Sequence, residues 1–134
     1  MNLTTLRAEG NVNALESVKS KLCLACDAQW HKGDIRRNGV AHEFSGFSAT
    51  IADTETPKEL IIFIGNFLDQ CKENNIKFQN LNLSAILAVG FTAGDSEQFV
   101  ACIEFSPAEL LACSECGISL SITAYPASDE AGTV

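Results

Sequence analysis

From Ile118 to Tyr125 apolar and polar residues alternate. Ile118, Leu120, Ile122 and Ala124 fall on one side, Ser119, Ser121, Thr123 and Tyr125 on the other. A period of two marks a strand with one buried face and one wet face. Just upstream, Ser106-Pro107-Ala108-Glu109 has the form of a capping box. The serine hydroxyl can accept an amide of the first turn, the glutamate can reach back, and proline sits at N1, where no amide is needed. Gly117 then closes a short helix. The end of the chain therefore predicts a helix feeding a half-buried strand.

The same patterning continues through the chain. Asn2 to Ala8 reads as a first strand, and Asn13 caps a helix with Glu16 at N3 and an apolar stripe of Leu15, Val18 and Leu22. Signals are mixed from Ala28 to Val40, where Gly33-Asp34 and Asn38-Gly39 both predict turns. Glu43 to Ile51 follows as a strand with Phe47, Ala49 and Ile51 on one face. Thr56-Pro57-Lys58-Glu59 is a second capping box, opening the longest helix, whose Leu60, Ile64, Phe67, Leu68 and Cys71 share a stripe. Asn74-Asn75 ends that helix. Leu81, Leu83, Ala85, Leu87, Val89 and Phe91 alternate through a long strand, turned by Thr92-Ala93-Gly94-Asp95. Phe99, Ala101, Ile103 and Phe105 form the returning arm of a hairpin. The predicted order is β-α-(β)-β-α-β-β-α-β. It describes an α+β domain with three helices on one face of an antiparallel-rich sheet of about five or six strands, ferredoxin-like in part. The stripe of the longest helix is expected on the sheet face carrying some of Leu83, Ala85, Leu87, Ile103, Leu120 and Ile122.

Composition narrows the class. The chain has 134 residues, 46% apolar and 19% charged, which argues against disorder and for one domain over 1–126 with a flexible tail over 127–134. The longest apolar run, Leu60 to Ile64, falls far short of the ~20 residues of a membrane helix. Met1-Asn2-Leu3-Thr4 shows neither the basic nor the apolar region of a secretory leader, so a cytoplasmic protein is expected. Net charge is −8, and the close pair Arg36-Arg37 lies in a short loop. A nucleic-acid binder needs a basic stripe, so neither nucleic acid nor membrane is expected as partner. An acidic surface keeps a protein soluble and hastens its encounter with a basic partner.

Leu22-Cys23-Leu24-Ala25-Cys26-Asp27-Ala28-Gln29-Trp30-His31-Lys32-Gly33-Asp34 resembles the signature of an uncharacterised bacterial family, domain of unknown function 4279. There a helix ends in a leucine-glycine-leucine step, followed by proline, a polar stretch and aromatic-basic-Lys-Gly-Asp. Leu22, Leu24, Trp30, Lys32, Gly33 and Asp34 match. Ser106-Pro107-Ala108-Glu109-Leu110-Leu111 leading to Gly117 is similar to the family's closing unit. Cys23 stands where glycine is common, Cys26 where proline is, and Phe44 or Phe47 replaces an expected tryptophan. The resemblance implies no activity, because none is established for the family.

The six cysteines include two CxxC pairs, Cys23 with Cys26 and Cys113 with Cys116. Four thiolates from paired knuckles can hold zinc when each pair sits on a tight turn. Here one pair straddles a helix end and the other lies within a helix, so the cysteines are expected to be small buried hydrophobes, without metal or cofactor. Should a metal bind, Cys23, Cys26, Cys113 and Cys116 are the set. A thioredoxin-like role wants its first cysteine at a helix N-terminus, whereas Cys23 trails a helix. His31 with Asp34 has the form of a base and its orienter, but no nucleophile stands near it in sequence. Trp30 is expected as a core anchor. Asp53, Glu55 and Glu59 cluster at the start of the long helix, and Asp95 with Glu97 at the turn after the long strand; both groups are candidates for an acidic partner face. The expected function is a non-catalytic binding protein, concretely a bacterial immunity protein inhibiting a basic toxin. The alternatives are a small zinc- or redox-active protein using the CxxC pairs, or an enzyme with no recognisable motif.

Overall fold

The computed structural model describes residues 1–127. Of the tail expected over 127–134, only Ala127 lies within the described residues. The elements are β1 (Asn2–Gly10), α1 (Val12–Leu22), β2 (Cys26–Trp30), β3 (Ser45–Asp53), α2 (Pro57–Glu73), a 3₁₀ turn (Phe78–Leu81), β4 (Ser84–Ala93), α3 (Pro107–Cys116) and β5 (Ile118–Pro126). The strands form one sheet in the order β2-β3-β1-β4-β5. Every pairing is antiparallel except β4 with β5, which α3 joins as a parallel crossover. The α+β class and the β-α-β-β-α-β order of the first six main elements are as the sequence predicts. β1 pairs antiparallel with both its neighbours.

One row of partners shows how the core is built: Ala49 of β3, Leu6 of β1, Leu87 of β4 and Leu120 of β5 stand side by side. The first three are fully buried and Leu120 is half-buried against the same core. α1 and α2 cover β1 and β3, and α3 packs on β5 and α2. Leu60, Ile64, Phe67, Leu68 and Cys71 form the buried stripe of α2, as their spacing requires. The other sheet face is open and carries small polar residues, among them Thr50, Ser119, Ser121 and Thr123.

The helix ends show local chemistry at work. Ser106 and Glu109 complete the capping box, with the Ser106 amide donating to Glu109 Oε1 at 2.9 Å and the Glu109 amide to Ser106 Oγ at 3.2 Å. At α2 half the box forms. Thr56 Oγ1 accepts the Glu59 amide, but the hydroxyl, not the Thr56 amide, donates to the Glu59 carboxylate at 2.9 Å. α1 begins earlier than predicted: Asn11, not Asn13, is its cap, accepting the amides of Asn13 and Ala14.

Three further expectations are corrected. β3 runs two residues later than Glu43–Ile51, and a bulge opposite Thr4 and Thr5 shifts its parity, so Ala52 is buried where Ile51 was expected. Leu81 belongs to the 3₁₀ turn, and β4 starts only at Ser84. The predicted hairpin arm over Phe99 to Phe105 pairs with nothing among the described residues. Both sides of β4 are already occupied, by β1 and β5, so a returning strand has no edge to join. Ile103 and Phe105 still pack on the core, while Phe99 is 76% exposed. Ile122 lies on the helix-side face of β5, beside the buried Val89, yet is 49% exposed.

Candidate functional site

Asn2 is the polar residue around which the most distinctive cleft is organised. It opens β1 on the same parity as the buried Thr4, Leu6 and Ala8 and is 2% exposed. Its Nδ2 faces three acceptors, Glu55 O at 2.9 Å, Thr54 O at 3.3 Å and Gln98 Oε1 at 2.5 Å, and has two hydrogens to give them. Gln98 Nε2 in turn donates to Thr92 O at 2.6 Å, and the Gly94 amide to Gln98 O. Asp95 Oδ1 accepts the amides of Glu97 and Gln98. These bonds fold the loop after β4 back onto the loop between β3 and α2.

The cleft between those loops measures about 680 Å³, and its walls include Asn2, Glu55, Asp95, Glu97 and Gln98. Two acidic groups that lie forty residues apart in sequence, Glu55 and the Asp95-Glu97 pair, thus meet at one place. Asp53 and Glu59 do not line it: Asp53 ends β3 in solvent and Glu59 is taken up by the α2 cap. Asn2 Oδ1 is buried with no hydrogen-bond partner among the described residues. A buried acceptor left unpaired costs about 1–3 kcal/mol. Asn2 was not among the residues singled out from sequence. Its signal was an asparagine on the apolar parity of a strand.

A second cleft, about 750 Å³, lies at the opposite end of the strands, between Glu9, Lys32, Arg36, Glu43, Ser45 and Ser84. Its charges are of both signs. Near it Trp30 lies on the open face of the sheet rather than in the core, over Gly46. Arg7 sits 4.7 Å from the Trp30 ring and His42 stacks on it at 5.1 Å. His31 and Asp34 serve the turn: Asp34 Oδ2 accepts the His31 amide at 2.7 Å, and both side chains are exposed.

The structure sorts the cysteines differently from the CxxC spacing. Cys23 is the left-handed cap of α1, and Cys26 begins β2. Cys113 and Cys116 are buried in α3 beside Cys71 of α2, which the spacing did not connect to them. Burial, reinforced by Cys116 and Cys113, pushes the Cys71 thiol up to about 12. Burial also raises Cys113, Cys116 and Cys26. A protonated thiol is a poor nucleophile and a poor ligand. Among the described residues no three His, Cys, Asp or Glu side chains gather in a way that could hold a metal ion, so Cys23, Cys26, Cys113 and Cys116 form no common site. No described helix is long and apolar enough to cross a membrane.

Comparison with known proteins adds no name to this geometry: no family model matches the chain, and neither a curated protein nor a solved structure does.

Proposed function

We propose that the chain is a non-catalytic binding protein whose partner is a basic protein, engaged at the Asn2–Gln98 cleft. The observation that carries this reading is the convergence of Glu55, Asp95 and Glu97 on one cleft. Carboxylates accept hydrogen bonds and offer none, which suits the ammonium of lysine or the guanidinium fork of arginine. The overall charge of −8 supports the same partner by drawing a basic surface in from a distance. An immunity protein holding a basic bacterial toxin is the concrete form of this reading.

The test is kinetic. A partner recovered from host cells, with the product of the neighbouring gene tried first, should bind fast and with strong salt dependence. The double reversal Glu55→Lys with Glu97→Lys should slow association about tenfold or more at low salt and flatten that dependence. Asp95 is left in place because it holds the turn. A partner indifferent to the double reversal refutes the reading, as does turnover of a small molecule by a chain that binds no protein.

A further inference from the structure

β5 is an outer strand of the sheet, paired among the described residues only with β4, and runs nine residues in unbroken register from Ile118 to Pro126. The outer edge of such a strand presents a row of unpaired amides and carbonyls, which most proteins protect with charges, bulges or brevity. β5 has none of these. No Asp, Glu, Lys or Arg occurs from Gly117 to Ala127, and the one proline within the strand is its last residue. Every residue after Leu120 is exposed up to Pro126, including Ile122 and Tyr125, each at 49%. α3, which packs on β5, exposes Leu110 and Leu111 as well.

We propose that this edge joins two copies of the chain, β5 pairing antiparallel with β5 of the second copy about a two-fold axis, so that the two sheets become one. Charge chooses the occupant. Two molecules of net charge −8 repel wherever their acidic surfaces meet, and the stretch from Gly117 to Ala127 is free of formal charge. The alternation is also self-complementary. In an antiparallel pair, opposed residues share a face. An axis through Ile122 sets Ile122 against its own copy and Leu120 against Ala124 on the helix side. On the open side it sets Ser121 against Thr123, hydroxyl to hydroxyl. The two α3 helices then lie on the same face of the joined sheet, with Leu110 and Leu111 at hand to extend the contact beyond the strands. An isologous interface of this kind closes on itself and leaves no sticky edge.

Sedimentation equilibrium of the full chain should show a reversible monomer–dimer equilibrium in the micromolar range or tighter. Ile122→Lys and, separately, Thr123→Lys place like charges across the axis and should each raise the dimer dissociation constant about tenfold or more. Both positions are exposed, so the circular dichroism spectrum should not change. Hydrogen exchange provides a readout without mutation: the amides within 118–125 that point away from β4 should exchange more slowly as concentration rises. A chain monomeric at every concentration overturns the proposal, and so does a dimer that both lysine variants leave intact. Protection of the outward-pointing β5 amides in a monomer, independent of concentration, would place the cover within the chain and overturn it equally.

Discussion

At one edge of the sheet, β2 runs only five residues, breaks register between Cys26 and Ala28, and then leaves the sheet for a two-turn ribbon. Its side chains are tied to the rest of the molecule: Asp27 accepts the Thr50 hydroxyl at 2.6 Å, and Lys19 donates to Gln29 at 2.7 Å. Trp30 caps this edge on the open face, held between Arg7 and His42. At the other edge, β5 is nearly twice as long, unbroken and uncharged. Brevity, a bulge and a charge are the devices by which an edge refuses further strands. β2 uses all three, and β5 none. The difference separates two uses of an edge. Perturbing β2 should act on the stability of the fold, and perturbing β5 on assembly.

The largest expected effect is at Trp30. Trp30→Ala should cost about 2–3 kcal/mol, less than the ~3–5 of a fully buried aromatic because part of the ring is already in water. Gly46 is the backbone half of the same contact. A Cβ there would stand 2.5 Å from the Trp30 ring and 2.7 Å from the Ala8 carbonyl oxygen. Gly46→Ala should therefore cost about 1–3 kcal/mol by overpacking. In the double variant the ring clash is gone and the carbonyl clash remains, so the cost should be less than the sum of the two singles. Denaturant unfolding of the three variants measures this. Strict additivity would mean that Trp30 does not finish this edge.

How much of the contrast could be read in the sequence follows from what periodicity encodes. Alternation reports which face a residue takes, and in β5 it did so correctly for Ile118 and Leu120. It does not report which strands are neighbours, so nothing in Ile118 to Tyr125 said that this strand is an edge. The same gap explains Phe99 to Phe105. Burial does alternate from Ala101 to Phe105, as the pattern required, but β4 has no free side and the segment stays outside the sheet. The candidate site was half legible. Glu55, Asp95 and Glu97 were visible as acidic clusters, whereas their meeting depends on Asn2 and Gln98, whose hydrogen bonds span 96 residues. Trp30 was misplaced because an aromatic next to a turn looks alike on either face of a sheet.

The β5 side of the core has its own vulnerability, in the thiols between α2 and α3. Cys71 is raised from 9.0 to about 12 in the folded chain, so above pH 9 the unfolded chain releases a proton that the folded chain keeps. Stability from this group is therefore complete below about pH 9 and declines as pH rises toward 12, by about 1.4 kcal/mol per unit. Cys113 and Cys116 act in the same direction. Unfolding curves under reducing conditions at pH 8.5 to 10.5, on roughly this scale, should fall more steeply for the native chain than for Cys71→Ala. Parallel curves would show that Cys71 keeps no proton on folding.

The smallest effect sets glycine against each edge with opposite sign. Cys23 caps α1 at φ 52° and ψ 44°, the left-handed region where a side chain costs about 1–2 kcal/mol and glycine nothing. Cys23→Gly gives up about 0.4–1 kcal/mol through the greater freedom of the unfolded chain. The balance favours the variant by about 0.5–1 kcal/mol. That gain would fix the turn that feeds β2. In β5 the backbone is already extended, so Ser121→Gly relieves no strain and adds only unfolded-state freedom. It should destabilise by about 0.5–1 kcal/mol. Measured side by side in denaturant, below the concentration at which copies meet, the two glycines should move the midpoint in opposite directions. If both lower it, the left-handed cap is not strained, and the contrast between a braced edge and an open one loses its support at the α1–β2 junction.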